Sequence, residues 1–411
     1  MNPLQKKQIC NMTYNTSLIL SEKHRQFIVW SLLCLLPIVG MAVDLVAPSL
    51  PFIASGLAVS TKIAKSVISI YLFGYALGNF LIGILTDALG RQKLIRFVLL
   101  GFVVVSLLPI FFPHITILLI ARFLQGVTLG GVGVLSRSII SDVLPPEKFI
   151  RIGTWLGTMW GLGPIIGPMV GGYLQFYFNW QAGFCFFALI GLIGFIAIWK
   201  IVPETHFNRH PLNIKTIQTN FMLVVQDRFF MAVVLLMGLL YSLVILFNTT
   251  GPFLIEHEFH YSSIFFGQLA LYLGIVFLCA TFICRSLLKK YGANQLFCIF
   301  INLVFIIAVL FVIISYFFPD SILLVSLSSA VMFFAKGFIS PLCMTKGLAL
   351  FRNIVGTASA IMYLIHILIT SLITFLLSFF DIHNAIPMMW IYFVLTLTML
   401  IIYWTMMRAA K

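Results

Sequence analysis

A chain of 411 residues that is 61% hydrophobic and only 9% charged cannot stay dissolved as a soluble fold, so this is a polytopic membrane protein. Its formal net charge of +14 could suit nucleic acid, yet 21 of the 25 Lys and Arg fall in the tails, loops and linker of one side. That asymmetry reports positive-inside topology and excludes a nucleic-acid partner.

Apolar runs of about 20 residues, each long enough to cross a bilayer as a helix, recur from Phe27 to Met407. Twelve spans are predicted. They lack the alternation of outer-membrane strands, so the fold class is an all-α membrane bundle and not a barrel. The polar tail 1–26 precedes spans at about 27–53, 64–85, 94–112, 115–139, 152–176 and 181–201. A polar linker at 203–229, with Glu204, Arg209, Pro211 and Lys215, divides these from spans at about 230–255, 264–287, 294–317, 321–344, 354–379 and 385–407. The expected domains are therefore 27–202 and 230–408. With both termini cytoplasmic, only Lys62 and Lys65 lie outside, and Arg122 and Lys336 lie within spans. The first run is an uncleaved helix, since it is long, carries Asp44 and is followed by further spans. Six of the seven cysteines lie in apolar runs and Cys10 in the tail, without any Cys-x-x-Cys, so they read as packing residues. Asn11-Met-Thr13 resembles a glycosylation sequon but falls in the cytoplasmic tail, where it is inert.

The halves are weak copies. Asp44-x3-Pro48 matches Asn248-x3-Pro252 at an offset of 204, Gly90 matches Gly292 at 202, and Gly153-Thr154 matches Gly356-Thr357 at 203. Six spans per copy is an even number, so the copies share orientation about an axis along the membrane normal.

In the first span, Asp44 is the acid that falls deep in a membrane run, where a carboxylate costs on the order of 3 kcal/mol. Burial favours the protonated form and a nearby cation the ionised one, so such a group can load and release a proton. The alternative is an acid held statically by a helix partner. Between spans two and three, Gly83 to Lys93 forms a charged knot in which Asp87 sits among Arg91, Lys93 and Arg96. It is either a latch between helices or a solvated turn with topogenic charge; Lys289 replaces Asp87 in the second copy. In the fourth span Arg122, beside Gln125, cannot deprotonate. It either tunes the protonatable site or makes a fixed pair with a carbonyl or acid. The fifth span repeats Gly163, Gly167 and Gly171 every fourth residue, a seam that lets backbones touch, with Gly172 following and Pro164 and Pro168 predicting kinks.

Later features stay open. Lys336 either lines a cavity and favours anionic or neutral substrates, or snorkels. His366 is either a proton relay or a satisfied interhelical donor. Trp30, Tyr71, Tyr75, Trp155, Trp160, Tyr241 and Tyr363 are candidates to stack on a flat substrate. Glu256-His-Glu-Phe-His260 has ligand-type residues without metal-site spacing and reads as a solvated outer loop; no metal is expected.

Together these motifs resemble the major facilitator superfamily, and within it the twelve-span drug/proton antiporters. Gly83 to Lys93 is similar to the loop motif after the second span, Arg122-x-x-Gln-Gly126 to the fourth-span motif, and Gly163-Pro-x-x-Gly-Pro-x-x-Gly-Gly172 to the antiporter motif. Asp44 to Pro51, Arg137-x4-Asp142, Asn248-Thr-Thr-Gly-Pro252 and Gly356-Thr-Ala-Ser-Ala360 resemble the bicyclomycin/chloramphenicol-resistance branch. Gln92 departs from the basic residue usual after Arg91. The resemblance implies two pseudo-symmetric six-helix bundles, alternating access, and multidrug efflux across the inner membrane by a monomer. Protons would enter through Asp44 with Arg122 as tuner. Gly83, Asp87, Gly90, Arg91, Lys93, Arg137 and Asp142 would form a cytoplasmic latch, and Gln125 and Asn248 would join the aromatics in a substrate cavity, with Lys336 and His366, which match no motif of the family, as further candidates. No cofactor is expected beyond the proton gradient, since no phosphate-binding Gly-x4-Gly-Lys-Ser/Thr occurs. Export of an endogenous metabolite such as a siderophore, uptake symport, and a non-transporting receptor on the same fold remain as alternatives. No constellation of nucleophile and base suggests an enzyme.

Overall fold

The computed structural model describes residues 21–206, 214–351 and 354–407, without the side chains of 87, 146–147, 150–151, 153–154 and 214–217. The tail with Asn11, the residues Arg209, Pro211, Arg352, Arg408 and Lys411, and the side chains of Asp87, Arg151, Gly153, Thr154 and Lys215 thus lie outside the described residues.

The described chain is helical throughout. The long helices are α1 (Glu22–Asp44), α3 (Thr61–Leu89), α4 (Arg91–Phe111), α5 (Ile115–Val143), α6 (Pro146–Tyr177) and α7 (Trp180–Ile201) before the linker. After it come α9 (Arg228–Pro252), α10 (Ser263–Leu287), α11 (Ala293–Phe317), α12 (Ile322–Ala349), α13 (Val355–Leu377) and α14 (Ala385–Ile402). A short α2 (Leu50–Gly56) completes the first span, and α8 (Ile214–Val225) lies in the linker. Eleven of the described helices are long and apolar enough to cross a membrane. The fifth long helix, α6, has the length but carries Gly and Pro where the others carry Leu and Phe; α1 and α10 pack on it instead of lipid.

Side-chain caps fix where these helices begin. Ser21 Oγ accepts from the His24 N–H, so α1 starts at Glu22, earlier than the predicted Phe27. Asn179, Asp227, Ser262, Ser321 and Asn384 cap α7, α9, α10, α12 and α14 in the same way. The Asp227 cap carries α9 into the predicted linker. Gly90, at φ 91°, makes the turn from α3 to α4, a conformation that a Cβ would strain.

The first span breaks four residues before Pro48. A proline clashes with the carbonyl four residues before it and offers that carbonyl no N–H; for Pro48 this residue is Asp44. Helix α1 accordingly ends at Asp44, and a 3-10 turn (Ala47–Ser49) leads into α2. In the second copy Pro252 stands four residues after Asn248, and there α9 gives way to a π-helical turn (Phe253–Glu258). In α6, by contrast, the predicted kinks do not break the helix: it is continuous through Pro164 and Pro168.

Small residues set the packing, as expected where lipid supplies no hydrophobic drive between helices. A Cβ built on Gly126 would lie 2.2 Å from the Tyr71 carbonyl oxygen, and one on Gly74 2.1 Å from that of Phe123, so α3 and α5 run backbone to backbone. The halves meet along two seams, α3 against α13 and α6 against α10. In the first, Ser371 Oγ donates to the Ser69 carbonyl at 2.8 Å. In the second, a Cβ on Gly172 would sit 2.4 Å from the Ser263 carbonyl oxygen.

Candidate functional site

The two helix breaks meet. Asp44 is 1% exposed and Asn248 2% exposed, and the Asn248 amide Nδ2 donates to Asp44 Oδ1 across the interface of the halves. These are the residues that the internal repeat pairs. Asp44 Oδ2 and Asn248 Oδ1 are both buried without a hydrogen-bond partner. Each acceptor so left carries the desolvation cost of an unmade bond, about 1–3 kcal/mol.

Arg122 does not touch Asp44. Its guanidinium donates to the Ala42 carbonyl at 3.0 Å, the Val67 carbonyl at 3.4 Å and Gln125 Oε1 at 3.1 Å, and it lies 4.3 Å from the centre of the Tyr71 ring. Gln125 in turn donates to Ser106 Oγ at 2.8 Å. Arg122 thus fastens α1, two residues ahead of Asp44, to α3 and α5. Lys336, partly buried mid-way along α12, forms no ion pair with Asp44 and faces aromatic rings, with Nζ 3.8 Å from the centre of Tyr241 and 5.5 Å from that of Phe277. It does not snorkel to an end of its helix.

His366 Nδ1 donates to the Met362 carbonyl at 2.7 Å, a bond within its own helix and not between helices. Tyr71 and Tyr75 are buried and stacked at 6.2 Å, the Tyr71 hydroxyl without a partner. Tyr363 lies between His366 and Arg137, at 5.4 Å from the former ring and 4.8 Å from the latter guanidinium. Trp160 is partly buried, with its carbonyl against Gly40. Trp30 stands apart from the Asp44 group: it is 48% exposed and meets Trp155 edge-on.

The charged knot is a clasp within the first half. Arg91 pairs with Asp142 and donates to the Ser138 carbonyl at 2.5 Å, joining the start of α4 to the end of α5. Glu204, just beyond α7, accepts from the backbone N–H groups of Arg91, Thr205 and His206, each at 3.0 Å, and Thr205 Oγ1 donates to Asp142 at 2.9 Å. Sequence reasoning assigned Glu204 only to the linker and missed Thr205. Lys93 is exposed, and Gly83 makes only ordinary contact with Val134, at 3.5 Å from its side chain. Arg137, grouped with the latch by sequence, points elsewhere: Nε donates to the Gly133 carbonyl at 3.2 Å, and the guanidinium crosses to Tyr363 of the other half.

The glycine seam of α6 faces α1. A Cβ on Gly163 would be 2.3 Å from the Pro37 carbonyl oxygen, one on Gly171 2.0 Å from that of Leu45, and one on Gly167 3.0 Å from Met41 Cβ. Pro164 packs under Gly40, and the Pro168 carbonyl opposes Gly267 of α10. The segment Glu256 to His260 is not the solvated loop predicted for it. Most of it lies in the π-helical turn, where both Glu256 carboxyl oxygens are buried without a partner, while Glu258 pairs with His383 at 2.8 Å and with His257 at 3.4 Å.

Known proteins resemble this chain in sequence and in fold. The chain is 24% identical over 364 residues to an uncharacterized transporter of Rickettsia felis, covering 85% of this chain and 88% of that one. It is 31% identical over 198 residues to a bicyclomycin resistance protein homolog of Haemophilus influenzae, covering 47% and 48% of the two. A D-xylose-proton symporter shares the fold at a TM-score of 0.72 and 16% identity, over 94% of this chain and 98% of that chain. The sequence pattern of the Major Facilitator Superfamily matches residues 32–372, so the chain belongs to that superfamily of membrane transporters, which are not enzymes.

Proposed function

We propose that this transporter exports small amphiphilic compounds across the inner membrane in exchange for protons, with Asp44 as the proton carrier. The observation that carries the proposal is the pair of orphan acceptors at the contact of the halves. Asp44 Oδ2 and Asn248 Oδ1 both lack a donor, while Asn248 Nδ2 already serves Asp44 Oδ1. One proton on Asp44 Oδ2 makes it a donor to Asn248 Oδ1, and an acid and an amide then share two hydrogen bonds. Loss of that proton turns one bond into a repulsion between acceptors and loosens the contact between α1 and α9. Protonation state and the fit of the halves are thereby linked. Arg122 holds the Asp44 segment in place through the Ala42 carbonyl. The bicyclomycin-resistance relative supports a drug-like substrate.

The test is proton release from purified protein in weakly buffered detergent when amphiphiles are added. Wild type should release protons on binding. Asp44→Asn keeps a two-bond amide pair with Asn248, so it should fold and bind compounds but release none. Release from Asp44→Asn equal to wild type removes Asp44 from the role.

A further inference from the structure

Three side chains with formal charge lie at mid-span among the described residues: Asp44, Arg122 and Lys336. The guanidinium of Arg122 is used up by two carbonyls, Gln125 and the face of Tyr71. The other two are each short of a partner. Asp44 Oδ2 has no donor. The Lys336 ammonium, on the opposite half, has ring faces beside it, those of Tyr241 and Phe277, and no carboxylate or carbonyl at bonding distance. The two groups share one helix face without pairing directly: Tyr241, under Lys336, and Asn248, bonded to Asp44, lie seven residues or two turns apart on α9. An acid and an ammonium buried inside a membrane protein without a direct partner leave a cost that a bridging ligand removes.

We infer that the site takes amphoteric aromatic compounds, whose cationic amine bonds Asp44, whose anionic acid group bonds Lys336, and whose ring lies against Tyr241. This names a substrate class for the exchange proposed above and rests on it. As the amine arrives, the proton on Asp44 leaves to solvent, and the carboxylate so formed is neutralised by the ammonium of the ligand. Lys336 keeps its proton and gains the carboxylate of the ligand, so the site holds two matched ion pairs. A purely cationic compound would satisfy Asp44 but bring a second positive charge toward Lys336. A purely anionic one would satisfy Lys336 but displace no proton.

The probes are 2-naphthylalanine, its carboxamide and its N-acetyl derivative, which present the same ring as zwitterion, cation and anion at about pH 6.5. Binding to the full-length protein in detergent is measured by calorimetry together with proton release. Wild type should bind the zwitterion at least about tenfold tighter than either analogue. Lys336→Met should erase its advantage over the carboxamide, and Lys336→Arg should keep it. Unfolding temperatures of both variants separate loss of fold from loss of recognition. Equal binding of zwitterion and carboxamide by wild type, an advantage that survives Lys336→Met, or no binding of any probe at millimolar concentration overturns the assignment. Proton release by the carboxamide without zwitterion preference leaves exchange at Asp44 standing and removes the substrate class. Zwitterion preference without proton release does the reverse.

Discussion

The two ends of the bundle are held together differently. At the end that carries Lys62 and Lys65, the halves grip one another: Lys65 Nζ donates to the Phe380 carbonyl at 2.8 Å, Thr61 Oγ1 to Asp381 at 2.8 Å, and Lys62 lies 3.7 Å from the centre of the Phe379 ring. Backbone meets backbone there at Gly172 and Ser263. At the opposite end the described bonds among Arg91, Asp142 and Glu204 stay inside the first half, and a Cβ on Gly157, Gly161 or Gly356 would meet no neighbouring atom within 4 Å. The basic knot ties α4, α5 and the segment after α7 together within one half. In the proposed cycle, the contacts between halves that must break lie at the Lys65 end, at the Asp44–Asn248 junction and where Arg137 meets Tyr363.

Adjacent glycines should separate rigidity within a half from contact between halves. Gly171 packs on Leu45 of its own half, and a Cβ there would lie 2.0 Å from a backbone oxygen that cannot move without moving α1. Gly171→Leu should cost more than about 3 kcal/mol, read as failure to recover monodisperse protein from membranes. Normal yield and unfolding temperature would show that α1 and α6 are not locked together. Gly172 instead opposes Ser263 of the other half. That clash is relieved if the halves part, so Gly172→Leu should fold yet favour the opened Lys65 end. A cysteine introduced as Ser69→Cys should then react several-fold faster with a membrane-impermeant maleimide than in the parent. An unchanged rate would mean that this seam does not gate that end.

Hydropathy made the spans legible because each needs about 20 apolar residues whatever its neighbours. The Asp44–Asn248 contact was foreshadowed by the repeat, since residues matched across a pseudo-two-fold axis meet when both lie near it. The clasp was only half legible. Arg91 and Asp142 stood out as charges in motifs, but Glu204 acts by accepting backbone N–H groups, which leave no mark on composition. The burial of Glu256 depends on the π-helical turn after Pro252, a change of register that side-chain pattern does not announce. Aromatics were the least informative. With 15% of residues aromatic, an exposed pair such as Trp30 and Trp155 looks the same in sequence as the ring of Tyr241 under Lys336.

The smallest effect belongs to the open end. Gly161 lies inside α6 with free space beside it, so Gly161→Ala meets no clash and gains helix propensity, up to about 1 kcal/mol. The unfolding temperature should stay the same or rise slightly. A bulkier Gly161→Leu finds room for its Cβ, so it should cost far less stability than Gly171→Leu. Transport is the discriminating readout. If the cycle closes this end as tightly as the Lys65 end is closed here, Gly161→Leu folds yet loses turnover, because its side chain occupies the place where the other half must arrive. Turnover equal to wild type would mean that closure at the Arg91 end leaves α6 uncovered at Gly161, and that the two ends do not seal by equivalent glycine contacts.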